Sequence, residues 1–177
     1  GVLVHEVKGV RGWPYDHSWY DVALANMIVG LAETAGLNLV HVHYAMPHAV
    51  SAYLAKQILR WEGRVLPVVT TLHGTDVTLV SEHPSFERVM HFSMVKSDGL
   101  TAVSDHLAKD TRRQMGFSHA IQVIPNGVNV DQFQPKSSGM KSRLIGKRAG
   151  PVLMHLSNFR PLKRVMDVVD IFAQVRA

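Results

Sequence analysis

The sequence predicts an α/β protein built on a mostly parallel sheet. Two observations carry that expectation. Short apolar runs alternate with stretches of helical periodicity along the 177 residues, the order a parallel sheet with crossover helices requires. Polar, histidine-rich clusters also stand where those runs end, and loops at the carboxyl ends of open parallel strands are the ones that face a ligand.

Gly1–Val7 reads as a buried strand ending in His5-Glu6-Val7, and Gly9–Tyr15, broken by glycine and proline, as a loop. From about Ser18 to Ala35 the residues Val22, Leu24, Ala25, Ile28, Val29, Leu31 and Ala32 recur at helical spacing. Gly36 is placed to end that helix. Leu39–His43 reads as a central strand, and Pro47 as the first-turn proline of a helix over His48–Trp61. Leu66–Leu72 is a further buried strand running into His73-Gly74-Thr75-Asp76. A helix over Ser85–Lys96, a strand at Gly99–Val103, a helix over Asp105–Met115 capped by Ser104 or Asp105, and a strand at Ile121–Ile124 follow. Helices are expected on both faces of the sheet.

These elements make a first domain, residues 1–130. The polar, basic stretch 131–150 reads as a linker. Residues 151–177 hold one strand, Val152–Leu156, and one amphipathic helix, Val165–Val175, the start of a second domain too small to keep a core alone. The apolar residues Val165, Val168, Val169 and Phe172 on that helix leave association into a homo-oligomer open. Trp13, Trp19, Trp61 and the methionines read as packing.

Composition narrows the function. With 46% apolar and 19% charged residues the chain is not a disordered tail. No run approaches the ~20 apolar residues of a membrane helix, so no membrane partner is expected. The net charge of +5 suits an anionic ligand but is too small to demand nucleic acid. Basic residues are densest over Lys136–Arg148, without aromatic interleaving, which reads as a solvated linker. The absence of cysteine excludes disulfides and thiolate chemistry and agrees with a cytoplasmic location. The chain opens on Gly1 inside a strand-like run, so it is read as a fragment and the lack of a leader carries no weight.

Four polar clusters follow predicted strands: His41/His43/Tyr44/His48, Thr70/Thr71/His73/Thr75/Asp76, Asn126/Asn129 and Ser157/Asn158/Arg160/Lys163. Each has a plain structural reading beside the functional one. His41 lies inside its strand and reads as structural, while His43 reads either way. Tyr44 and His48 fit ordinary loop packing, and Asn126-Gly127 fits a turn as well as a site. His73-Gly74-Thr75-Asp76 points more firmly to a ligand, because glycine between His and Asp lets one approach the backbone. Arg160 and Lys163 precede a helix, where cations are unfavourable unless an anion joins them.

Thr70-Thr71-Leu72-His73-Gly74-Thr75-Asp76, Thr101-Ala102-Val103-Ser104, Val123-Ile124-Pro125-Asn126-Gly127-Val128 and Ser157-Asn158-Phe159-Arg160-Pro161-Leu162-Lys163-Arg164 resemble, in this order, the GT-B glycosyltransferases of family 4. His5-Glu6-Val7, His41-Val42-His43-Tyr44-Ala45-Met46-Pro47-His48-Ala49 and Ser157–Arg160 resemble more narrowly the members of that family in the bacillithiol pathway. The resemblance implies two Rossmann-like domains and a retaining transfer of N-acetylglucosamine from UDP-N-acetylglucosamine to the hydroxyl of L-malate, with no metal or other cofactor. His73 would lie by the transferred sugar and Asn126 at the donor–acceptor junction. Lys163, and by position Arg160 or Asn158, would hold the donor diphosphate, and Tyr44 and Thr71 would lie near the malate. Many relatives carry Arg in the place of Asn158.

The chain also departs from the family. The glycine-rich loop near the family's N-terminus and the distal acidic pair that binds sugar and ribose hydroxyls are absent. As given, it is expected to bind donor weakly and to be inactive. Three competing readings are a family 4 transferase with an inositol, lipid or glycan acceptor, a non-catalytic sugar-nucleotide-binding module, and a metal-dependent hydrolase using His41 and His43 with His73 and Asp76. A small cationic pocket lined by Tyr44 and Thr71 would favour the dicarboxylate acceptor.

Overall fold

Four parallel strands, β1 (Val40–His43), β2 (Val68–Leu72), β3 (Gly99–Ala102) and β4 (Gln122–Val123), lie side by side in chain order. The β-branched run Val68-Val69-Thr70-Thr71 suits the second strand. The computed structural model describes residues 1–7, 19–135, 143 and 152–176. They fall into two compact units, Gly1–Gly127 and Val128–Ala177. The first is an α/β, Rossmann-like sheet domain as expected. The predicted loop Gly9–Tyr15 with Trp13, and the basic stretch Lys136–Arg148 apart from Arg143, lie outside the described residues.

Helices join the strands of this unit: α1 (Tyr20–Thr34) precedes β1, α2 (Val50–Trp61) joins β1 to β2, α3 (Thr75–Glu82) and α4 (Glu87–Lys96) join β2 to β3, and α5 (Asp105–Met115) leads to β4. Gly36, at φ +66°, follows the end of α1 in the left-handed conformation the sequence anticipated. Ser104 caps α5 by accepting the Leu107 amide at 3.2 Å.

Register decides what each face of the sheet carries. His41, Val69 and Gly99 align, as do His43, Thr71 and Thr101; the alternate residues Val42, Thr70 and Leu100, and Leu72 with Ala102, point the other way. Every strand residue in the hydrophobic core (Val42, Val68, Leu72, Leu100 and Ala102) belongs to this second face. There they meet Ala52, Ala55 and Leu59 of α2, Met90 and Met94 of α4, and Leu107 and Ala108 of α5. Consecutive strand order explains it: right-handed crossovers that all advance in one direction put their helices on one side. Apolar packing against helices on both faces is therefore not found among the described residues, and toward the carboxyl ends of the strands the first face carries the polar row His43, Thr71 and Thr101. At the opposite end of the strands, Asp98 accepts from Lys56 at 2.6 Å and from the Val68 amide at 2.7 Å. Burial pushes its carboxyl up, and these bonds outweigh burial and hold it below its ordinary value.

Several expectations are corrected. Residues 1–7 form no strand, and Val2, Leu3 and Val4 lie exposed, because an apolar run becomes a strand only with a partner to bond. The same holds for Val152–Leu156. β1 is an edge strand rather than a central one in this sheet. The helix expected from His48 starts at Val50, because Met46 is extended (φ −121°, ψ 132°) and Ala45–Ala49 forms a separate wide turn with a cis Met46–Pro47 bond. Trp61, expected to pack, is 87% exposed. α3 was not anticipated, since its Thr- and Val-rich sequence has weak helix propensity.

In the second unit a short 3₁₀ turn, Pro161–Lys163, leads into α6 (Val165–Arg176). The apolar side of α6 (Val168, Val169, Phe172) faces Val152–His155 across a cavity of about 390 Å³.

Candidate functional site

The loops after β1 and β2 are tied together by one buried carboxylate. Asp76, 2% exposed, accepts the Ala45 amide at 2.6 Å and the His73 amide at 2.9 Å. Its place in the first turn of α3 also puts it where helix N-termini favour negative charge. The sequence marked Asp76 only as part of a cluster; its clamping role depends on a contact to Ala45 that is invisible in one dimension.

Between these loops stands an imidazole–phenol cluster. Nδ1 of His43 lies 2.7 Å from Nε2 of His73. The His73 ring lies 5.0 Å from the ring of Tyr44, which in turn lies 6.2 Å from that of His48. His48 donates from Nδ1 to the His43 carbonyl at 2.6 Å. Tyr44 holds a positive φ of 74°, rare for a non-glycine residue, and its amide donates to the Thr71 carbonyl at 2.9 Å. Gly74, at φ +97°, lets the chain turn from β2 into α3 directly after His73.

The polar face of the sheet continues this cluster inward. His41 Nε2 and the Thr101 hydroxyl each lie 2.7 Å from the Thr71 hydroxyl, so a hydrogen-bonded row crosses three strands. Burial, then the neighbouring His43 and His73, lowers the pKa of His41 below its ordinary value. Thr101 was read only as part of a motif; its link to Thr71 follows from strand register.

Of the residues singled out from the sequence, Tyr44, Thr71 and His73 are therefore brought together. The bonds and ring contacts of Tyr44 and Thr71 go to histidines, Thr101 and backbone. Asn126 lies exposed just beyond β4, in the same unit. Asn129 serves the backbone instead: its side-chain oxygen accepts the amides of Asp131 and Gln132 at 3.0 and 3.1 Å.

In the second unit Asn158, Arg160 and Lys163 are exposed on one short loop. Ser157 shapes it, contacting His155 Nε2 at 2.9 Å and accepting the Phe159 amide at 3.1 Å. Phe159 and Arg164 both have positive φ, 52° and 47°. Arg164 is paired with Asp167, while Arg160 and Lys163 stand exposed just ahead of α6.

The zinc-hydrolase reading finds no site in this arrangement. His43 and His73 turn nitrogens toward each other and His41 toward Thr71. Among the described residues no group of three or more His, Cys, Asp or Glu side chains is placed to hold a metal ion. No helix among them is long and apolar enough to cross a membrane.

The model of Glycosyltransferase Family 4 matches residues 2–132. The chain belongs to this family. It is 37% identical over 175 residues to N-acetyl-alpha-D-glucosaminyl L-malate synthase of Bacillus anthracis, a match covering 98% of this chain and 45% of that protein. An uncharacterized glycosyltransferase of Methanocaldococcus jannaschii is 30% identical over 72% of this chain and 34% of its own length. A putative teichuronic acid biosynthesis glycosyltransferase of Bacillus subtilis is 29% identical over 55% of this chain and 23% of its own length. The chain thus spans less than half the length of these relatives.

Proposed function

We propose that this chain is the acceptor-side domain, with the start of the donor-side domain, of a retaining hexosyltransferase that moves N-acetylglucosamine from UDP-N-acetylglucosamine to the hydroxyl of L-malate. The observation that carries the reading is the 37% identity, over 98% of the chain, to the Bacillus anthracis synthase. The cluster of Tyr44, Thr71 and His73 at the strand ends supports it.

In the transfer, the bond from the anomeric carbon to the diphosphate oxygen breaks and a bond to the malate hydroxyl oxygen forms on the same face of the sugar, the hydroxyl proton passing to the departing diphosphate oxygen. Negative charge grows on UDP as it leaves. Arg160 and Lys163 stabilise that charge more in the transition state than in the ground state, which is the condition for lowering the barrier. Asn158 adds an amide donor to the same loop. His73 and Asn126 contact the reacting sugar, and imidazole N–H groups near Tyr44 and Thr71 receive the malate carboxylates. No metal is needed when side-chain cations carry the diphosphate. The 177 residues alone bind donor weakly and do not turn over.

The test uses the product of the complete reading frame that encodes this chain. Incubation with UDP-N-acetylglucosamine should yield an α-linked glucosaminide of L-malate, identified by mass and by the anomeric proton coupling. Transfer to an inositol, lipid or glycan in preference to malate would move the chain to another acceptor class, and a β-linked product would overturn retention.

A further inference from the structure

The fold brings His43 of β1 and His73 beyond β2 into direct contact, with 2.7 Å between His43 Nδ1 and His73 Nε2 and ring centroids 5.0 Å apart. A neutral imidazole carries one N–H, so a bond between two neutral rings needs one donor and one acceptor. It therefore decides which nitrogen of each ring holds the proton. Both backbones are anchored independently of the bond. His43 pairs with Thr71 in the sheet and accepts from His48 at its carbonyl, while the His73 amide is held by Asp76. The Tyr44 ring lies beside that of His73, centroids 5.0 Å apart and planes tilted by 42°.

We infer that His43 is the positioning residue for His73: its Nδ1 accepts from His73 Nε2–H, fixes one tautomer and ring orientation, and leaves His73 Nδ1 as an acceptor for a ligand hydroxyl. This arrangement keeps both rings in the Nε2–H form, the tautomer that imidazole side chains favour in water. The opposite direction of donation would force both into the Nδ1–H form. Among the described residues, the titratable groups beside the pair include His41, whose ring centroid is 4.6 Å from that of His43, Tyr44, and His48 on the His43 carbonyl; the Asp76 carboxylate is spent on backbone amides. The role of a hydroxyl facing His73 rests on the transferase reading above; the pairing of the two rings does not.

Nitrogen-15 NMR of the 177-residue chain at pH 8, where free imidazole is neutral, tests the pairing without substrate. The expected spectrum has His73 protonated at Nε2, unprotonated at Nδ1, and coupled through the hydrogen bond to His43 Nδ1. His43→Leu should release His73 into a mixture of tautomers, and His43→Asn, whose side-chain oxygen can sit near the lost Nδ1, should restore the single form. In the full-length transferase His43→Leu should lower kcat roughly tenfold or more with little change in the KM for acceptor, as loss of orientation does, and His43→Asn should recover most of it. Absence of the cross-bond coupling, or the same single His73 tautomer in His43→Leu, overturns the inference. A pinned tautomer with no sugar transfer to malate would leave it standing and remove the proposed reaction instead.

Discussion

The carboxylate of Asp76 and the amide of Ala45 lie 2.6 Å apart across 31 residues of sequence. With the second oxygen on His73, this one buried side chain fixes both loops that carry the imidazole–phenol cluster. Asp76→Ala leaves two amides without a partner, that of Ala45 buried and that of His73 partly so. Stability to urea should fall by roughly 2–4 kcal/mol, since each orphaned donor loses its bond and keeps its desolvation cost. Asp76→Asn keeps one acceptor, turns an N–H toward the other amide, and should lie between the two. Amide exchange at Ala45 and His73 should accelerate in both variants. Unchanged exchange would mean that the clamp does not hold these loops.

A different test concerns the threonine row. The hydroxyls of Thr71 and Thr101 lie 2.7 Å apart, and both residues are nearly inaccessible, so neither can turn to water. Thr101→Val should cost about 1 kcal/mol, and Thr71→Val somewhat more because it also abandons His41. The double variant should cost less than the sum of the two, since removing both partners leaves no orphan between them. Strict additivity in a denaturation cycle would show that the two hydroxyls are not bonded.

Gly74 isolates a backbone effect. At φ +97° an L side chain is strained, yet an added Cβ would meet no atom within 4 Å. Gly74→Ala should therefore destabilise by roughly 1–3 kcal/mol through conformation alone. It should also displace the His73 ring, read as a shift of the His73 and Tyr44 ring signals. A neutral effect on both would mean the turn has room to change its torsions.

Legibility in the sequence followed the range of the interactions. Gly36, Ser104 and the helix Asp105–Met115 are set by neighbours within a few residues, and their sequence signals sufficed. Strand existence was readable for β2, whose apolar, β-branched run is buried, but not for residues 1–7 or 152–156, because pairing depends on a distant partner. Within the site, His73, Tyr44 and Thr71 could be named from motifs at strand ends. The Asp76–Ala45 clamp, the His43–His73 bond and the Thr71–Thr101 link each span about thirty residues and depend on register.

His41 gives the polar face a pH signature. Burial is the main cause that lowers its pKa, with His43 and His73 adding to it. The unfolded chain, with its imidazole near the ordinary 6.5, then binds a proton at a pH where the folded chain still refuses one. Its contribution to stability is intact above about pH 6.5 and is lost as pH falls from there through the lower folded value. Urea midpoints measured between pH 5 and pH 8 should show a rise with pH that is shallower in His41→Gln. An equal slope in the two proteins would assign the effect to other histidines.

The loop that carries Asn158, Arg160 and Lys163 offers the most direct test of the proposed chemistry. Arg160 and Lys163 are exposed cations just ahead of α6, where the helix field disfavours them unless an anion is present. In the full-length transferase, Arg160→Gln and Lys163→Gln should each lower kcat/KM for UDP-N-acetylglucosamine, by roughly 2–4 kcal/mol of transition-state stabilisation or about thirty- to a thousandfold. A good part of the loss should fall in kcat, because the charge they meet grows as UDP departs. The KM for L-malate should move little. The same substitutions should raise the stability of α6 slightly when no donor is bound, since they remove an unfavourable charge from its N-terminal side. A variant that loses malate affinity while keeping its donor kinetics would place these cations on the acceptor and reverse the assignment of the two ligands.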